Sequence, residues 1–159
     1  MTATVALLAF VSSVLGGAIG AGIVAWLAYL RTRRERVWTD RYEALRHILL
    51  TLETITSHFS VEYMEDKGLS VMSHNEREQL RKEWPAANRE LNRHASALRL
   101  LFKQPEIERL MELIAELYSA FFDLYQEVDD AAAHHYNLIS ERAADANSEV
   151  IRLAQKHCV

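Results

Sequence analysis

Apolar and polar residues alternate in two different ways along this chain, and the change comes at its thirtieth residue. From Val5 to Leu30 there is no charged residue over 26 positions. Beyond that stretch, apolar residues recur every three or four positions, and nowhere with the two-residue period of a strand. The pattern predicts an all-α protein, one N-terminal transmembrane helix followed by an up-down helical bundle of three to four helices. In domain terms, residues 1–35 are a single transmembrane anchor with a basic stop-transfer segment, and residues 36–159 are a cytoplasmic helical bundle.

A helix of 26 residues is roughly 39 Å long, enough to cross a ~30 Å hydrocarbon core with some tilt. Trp26 and Tyr29 close the stretch, where amphipathic rings favour the interface, and Arg31, Arg33, Arg34 and Arg36 follow at once. These six are the expected membrane-interface residues. No Lys or Arg precedes the stretch, so the basic asymmetry places the N-terminus outside and the rest in the cytoplasm. A cleaved signal peptide fits less well. It needs a basic start and an apolar run of ~7–15 residues, whereas this chain opens Met-Thr-Ala-Thr.

Four of the five glycines lie inside the stretch: Gly16, Gly17, Gly20 and Gly22. Ser13, Gly16, Gly17 and Gly20 fall at i, i+3, i+4 and i+7, one continuous stripe. Lipid supplies little hydrophobic drive between helices, so small residues that let backbones approach predict a transmembrane self-association face. Ser12 and Ser13 offer the only aliphatic hydroxyls and there is no charged group, which gives an ion path weak support.

No Gly or Pro occurs between Trp26 and Phe59, so the first bundle helix is expected to continue from the anchor. Trp38, Tyr42, Leu45, Ile48, Leu49, Leu52, Ile55 and Phe59 mark its buried face. The polar segment Ser60 to Ser73 contains Gly68, but also Tyr63, Met64, Leu69, Val71 and Met72, and reads as a partly packed turn or lid. Ser73 and Glu76 form a capping box that opens a second helix running to Phe102. In it Leu80, Trp84, Ala87, Leu91, His94, Leu98 and Leu101 lie at alternating steps of four and three. Pro85 inside that pattern predicts a kink or a restart.

Pro105 suits the start of a third helix, with Glu106 and Glu108 following. Ile107, Leu110, Met111, Ile114, Leu117, Tyr118, Phe121, Phe122, Tyr125 and Val128 make this helix the expected centre of the core. A fourth starts near Asp130 and shows Tyr136, Ile139, Ala143, Ala146, Val150 and Leu153. The Asp129–His135 junction lacks Gly and Pro, so one ~50-residue helix is the alternative; a hairpin is favoured because it buries both faces.

The net charge of −4 is unevenly spread. Residues 31–47 carry six Arg against Glu35, Asp40 and Glu43, while residues 48–159 carry twelve basic against nineteen acidic groups. The basic block would face anionic headgroups, and the acidic body argues against nucleic acid as a partner. The single cysteine, Cys158, excludes an intrachain disulfide, suits a reducing compartment and reads as an incidental tail thiol. Glu106, Glu108, Glu112 and Glu116 read as a solvated face, or equally as a contact for a basic partner.

Among the seven histidines, Glu43–His47 and Glu90–His94 are spaced i, i+4, which does not match the Glu-x-x-His ligands of carboxylate-bridged bundles. No metal and no cofactor is expected. Arg89 to His94 is also an Arg-x4-His, and Arg41 to His47 a looser version of it. Both resemble the signature of HEPN-type ribonucleases, which are themselves helical bundles; some membrane-anchored proteins of bacterial antiviral systems resemble that fold. The resemblance covers six residues and a fold class. It implies His94 as acid and base and Arg89 steadying phosphate charge, across a dimer. Periodicity, independently, sets His94 on the packing seam.

These features together predict a non-enzymatic, single-pass membrane-anchored helical module for interaction, scaffolding or sensing. It would self-associate at the cytoplasmic face of a bacterial inner membrane, the bacterial source resting on fourteen Arg against four Lys. The expected partners are the lipid bilayer, further copies of the chain as a homo-oligomer, and a protein of unknown identity. The alternatives are a pore-forming oligomeric effector of a bacterial defence or toxicity system, and a HEPN-like membrane-bound ribonuclease using Arg89 and His94.

Overall fold

The computed structural model describes the backbone of residues 2–69, 72–126 and 132–157, with side chains from residue 23 onward. Among the described residues the protein is all-α, with four helices and no strands: α1 (Thr2–Asp66), α2 (His74–Leu101), α3 (Gln104–Gln126) and α4 (Ala132–His157). The chain divides into two compact units, Met1–Thr39 and Asp40–Val159.

In the first unit Ile23, Val24, Trp26, Leu27 and Tyr29 are all exposed. At about 100° per residue they are spread around the helix circumference instead of forming one stripe. Past them the surface turns polar: Arg31 Nε donates to Glu35 at 2.9 Å, and the Thr39 hydroxyl donates to the Glu35 carbonyl at 2.9 Å. Among the described residues no helix is long and apolar enough to cross a membrane. The side chains of residues 5–22, which make up most of the expected transmembrane stretch and include Ser13, Gly16, Gly17 and Gly20, lie outside the described residues.

The second unit is a helical bundle, and its core follows from spacing. Leu45, Ile48, Leu52, Ile55 and Phe59 of α1 step by three and four, so they fall on one seam and are all buried. They join Leu91, Ala95 and Leu98 of α2, Leu110, Ile114, Leu117 and Phe121 of α3, and Ile139, Ala143, Ala146, Val150 and Leu153 of α4 in one continuous cluster. Contacts at the two ends of the bundle set the helix directions. At one end Arg41 Nε donates to the Leu101 carbonyl at 2.9 Å, and its guanidinium lies 4.8 Å from the centre of the Phe102 ring. At the other, Ser60 and Ser140 share a hydroxyl hydrogen bond of 2.6 Å. There the Phe59 ring lies 5.3 Å from Trp84, 5.5 Å from Phe121 and 6.0 Å from Tyr136. Neighbouring helices therefore alternate in direction, and one side chain of α1 touches all three of the others.

The helix ends have local causes. Gly68 adopts φ 77, and the hydrogen bonds Gly68 N–H to Glu65 and Leu69 N–H to Met64 close α1 with a Schellman turn, which favours glycine. Ser73 and Glu76 form the expected capping box on α2. At the start of α3 the Lys103 N–H donates to the Glu106 carboxylate at 3.1 Å, and the Glu106 N–H donates to the Lys103 carbonyl at 2.9 Å.

Several expectations are corrected. α1 continues through Ser60–Asp66 where a polar turn was expected, because Val61 is buried there and Glu62 is held by arginines of α2. α2 runs through Pro85 without a restart; Trp84 and Ala87 pack against the core on either side of the one missing N–H. The buried seam of α1 starts at Ala44, so Trp38 and Tyr42 are exposed. On α3, Phe122 (61% exposed) lies a third of a turn from buried Phe121, and Tyr125 (70%) comes after the last buried position. Leu113 and Ala120 are buried in their place. The favoured hairpin after Pro105, by contrast, is what forms: two helices, α3 and α4, packed together instead of one long helix. Val128 and Asp130 lie outside the described residues.

Phe59 is 2% exposed and joins four helices, so Phe59→Ala should lower the unfolding free energy by about 3–5 kcal/mol. Phe122→Ser, on a side chain in solvent, should change it by less than about 0.5 kcal/mol. Urea denaturation followed by circular dichroism checks both.

Candidate functional site

Among the described residues two clusters that contain histidine lie along the contact between α1 and α2, apart from the Arg109–Glu116–Arg142 ion pairs of α3 and α4. One is built on the i, i+4 pairs Glu43–His47 and Glu90–His94. Spacing puts each acid one turn above its histidine, and the antiparallel packing of α1 on α2 brings the histidines face to face. Their ring centroids are 4.7 Å apart with planes only 3° from parallel. Glu90 lies 3.3 Å from His94 Nε2, and Glu43 lies 3.9 Å from His47 Nε2. His94 is the less exposed ring. Burial lowers its pKa, the neighbouring His47 adds to that, and Glu90 opposes it.

Parallel stacking limits the chemistry of this pair. The nitrogen lone pairs lie in the ring planes, so two parallel stacked rings hold them in two separate planes instead of converging them on one ion. Among the described residues there is no group of three or more His, Cys, Asp or Glu that could hold a metal. The two Arg–His patterns are also separated by the fold. Arg41 is engaged with Leu101 and Phe102 at the end of the bundle. Arg89 is exposed, and five residues along a helix set it about 140° around the axis from His94.

The second cluster surrounds His58 and Glu62, one turn apart on α1. His58 is only 6% exposed, with its ring stacked on Trp84 at 5.4 Å and edge-on to Phe59 at 4.9 Å. Burial pushes its pKa down to about 4; Glu62 works against that, while Arg81 and Arg77 add to it. The ring is therefore neutral at physiological pH. The Glu62 carboxylate, 11% exposed, accepts a bidentate pair of hydrogen bonds from Arg81 at 2.9 and 3.0 Å and another from Arg77 at 3.3 Å. Burial disfavours its charge, but these guanidinium hydrogen bonds outweigh it and hold the carboxyl below its usual range. Arg77 also pairs with Glu65. The group lines an open cleft of about 560 Å³ that also meets Tyr125, His135 and Tyr136.

Neither cluster pairs a nucleophile with a base. In the second, both carboxylates, Glu62 and Glu65, are already paired with guanidinium groups, an arrangement that fastens α1 to α2. The membrane-interface residues Trp26, Tyr29, Arg31, Arg33, Arg34 and Arg36 are all exposed in the first unit. His58 and Glu62 were not among the residues singled out from the sequence, although a signal for them existed. The stripe Leu52, Ile55, Phe59 continues through these two ionisable residues, and an ionisable group on a buried stripe needs a partner. Comparison with protein-family models, with curated proteins and with solved structures returns no match.

Glu62→Gln leaves Arg77 and Arg81 facing a neutral group in a mostly buried site, and should lower the unfolding free energy by about 1–3 kcal/mol at pH 7.5. Glu43→Gln, at an exposed pair with Arg46, should shift it by less than about 0.5 kcal/mol. Urea titrations of the two variants decide this.

Proposed function

We propose that this protein is a single-pass membrane-anchored helical module, with its bundle on the cytoplasmic side, acting in interaction, scaffolding or sensing and not in catalysis. The observation that carries the reading is the 26-residue uncharged stretch from Val5 to Leu30, fenced by Arg31, Arg33, Arg34 and Arg36 at one end only. A helix that is apolar on every side needs an apolar surrounding on every side. The described part of that stretch supports this, since Ile23, Val24 and Leu27 are exposed at different positions around the helix. The bundle supports it from the other direction. It buries its own apolar seam, so it has no need of the N-terminal stretch to complete a core.

Self-association is proposed through the stripe of Ser13, Gly16, Gly17 and Gly20, which would let two backbones approach closely in lipid. The bundle could then present its acidic face to a partner at the membrane surface. An interaction role is preferred because, among the described residues, the carboxylates of the α1–α2 clusters are paired with arginines and histidines within the fold.

Reporters fused to either end test the orientation. One active only in the cytoplasm should signal when placed after Val159, and one active only outside should signal when placed before Met1; the reverse pattern overturns the topology. Crosslinking in native membranes should trap oligomers of the wild type, and Gly16→Ile with Gly20→Ile should reduce them about tenfold or more. Equal crosslinking in both removes the stripe from the account.

A further inference from the structure

Between α1 and α2 the bundle holds two flat stacks, His58 on Trp84 and His47 on His94. Both are contacts between the same two helices, about three turns apart along α1. We propose that the α1–α2 contact is an acid-responsive latch, in which protonation of His58 and of the His47–His94 pair loosens these two helices from each other while α3 and α4 stay packed.

The charges around each stack explain why a proton is unwelcome. His58 faces Glu62 on its own helix, Arg77 and Arg81 on α2, and Tyr125, His135 and Tyr136 across the cleft. Glu62 is already matched by two guanidinium groups and Glu65 by Arg77, so a proton on the His58 ring adds a cation with no free counter-charge. In the other stack the neighbours are Glu43 and Arg46 on α1 and Glu90 and Arg93 on α2, again balanced in sign. A proton on His94 meets Glu90 at 3.3 Å, but it also stands 4.7 Å from the His47 ring and beside Arg93 in a half-buried place. Among the described residues no stacked imidazole joins α3 to α4, and the one buried histidine of α4, His135, lies at the cleft end, outside the stretch 139–153. Ile114 and Leu117 of α3 and Ala143, Ala146 and Val150 of α4 all belong to the apolar core, and the outer ion pair is Arg142 with Glu116 at 3.0 Å.

The direction with pH follows from proton binding. An imidazole titrates ordinarily near 6.5; packing holds His58 down to about 4 and moves His94 in the same direction. The closed contact thus binds fewer protons than the opened one. Its strength is fully present above pH 6.5 and is lost progressively as pH falls from there toward 4. At pH 5.5, one unit below the free value, His58 alone favours the opened state by about tenfold.

Amide hydrogen exchange of the full chain in a mild non-ionic detergent, at pH 7.5 and 5.5 and corrected for intrinsic rates, tests the latch. Acidification should speed exchange about tenfold or more in residues 45–62 and 80–98, and less than about twofold in residues 107–120 and 139–153. In His58→Phe, which keeps a flat ring against Trp84 but takes no proton, the change over residues 55–62 should fall below about twofold. His47→Gln with His94→Gln, on partly exposed rings, provides the second variant should His58→Phe not fold, and should suppress the change over residues 45–51. Equal loss of protection in all four helices, or an undiminished response in a variant that folds, overturns the proposal.

Discussion

The bundle depends on one seam. Leu45, Ile48, Leu52, Ile55 and Phe59 form the apolar run that α1 contributes to the bundle, and all five are buried there. Because they repeat every three or four residues, a single straight face of α1 can be covered by α2, α3 and α4 at once. Phe59 makes this concrete, since its ring meets Trp84, Phe121 and Tyr136, one from each other helix. Without that seam, α3 and α4 could still pair, but the contacts that direct α2 would be lost.

The same helix changes character toward its N-terminus. In the bundle its apolar residues occupy one face, whereas at Ile23, Val24, Trp26, Leu27 and Tyr29 they occupy every face and are exposed. The hydrophobic effect treats the two patterns differently. A stripe is satisfied by neighbouring helices, and a fully apolar cylinder only by an apolar surrounding. The proposed membrane anchor rests on this contrast and on the arginines that follow it. The polar clusters fit a bundle held by interaction: Glu62 with Arg77 and Arg81 fastens α1 to α2, and the stacked imidazoles add contacts whose strength depends on remaining uncharged.

Much of the fold was legible because its causes are local or periodic. The capping box at Ser73 and Glu76 is a two-residue signature, and the core positions of α1 and α4 follow directly from helical spacing. The errors cluster where periodicity alone carries no information about extent. Trp38, Tyr42, Phe122 and Tyr125 continue the apolar pattern, but the buried seam ends before reaching them. Pro85 predicts a kink or a restart because its missing N–H is a local cost; the restart is absent, and Trp84 and Ala87 pack against the core on either side of it. The site was less legible. Glu43–His47 and Glu90–His94 stood out as pairs, but their meeting depends on the register of α1 against α2, which no local motif specifies. His58 and Glu62 carry no apolar signal of their own, and only their place on the stripe of Leu52, Ile55 and Phe59 marks them in the sequence.

The account stands or falls with the surroundings of residues 5–30. Alkaline carbonate extraction of membranes from cells making the native chain tests it most directly, because it strips proteins held by surface contacts and leaves those embedded in lipid. The account predicts that the chain stays entirely in the pellet and enters solution only with detergent. Full release into the supernatant by carbonate alone would contradict it.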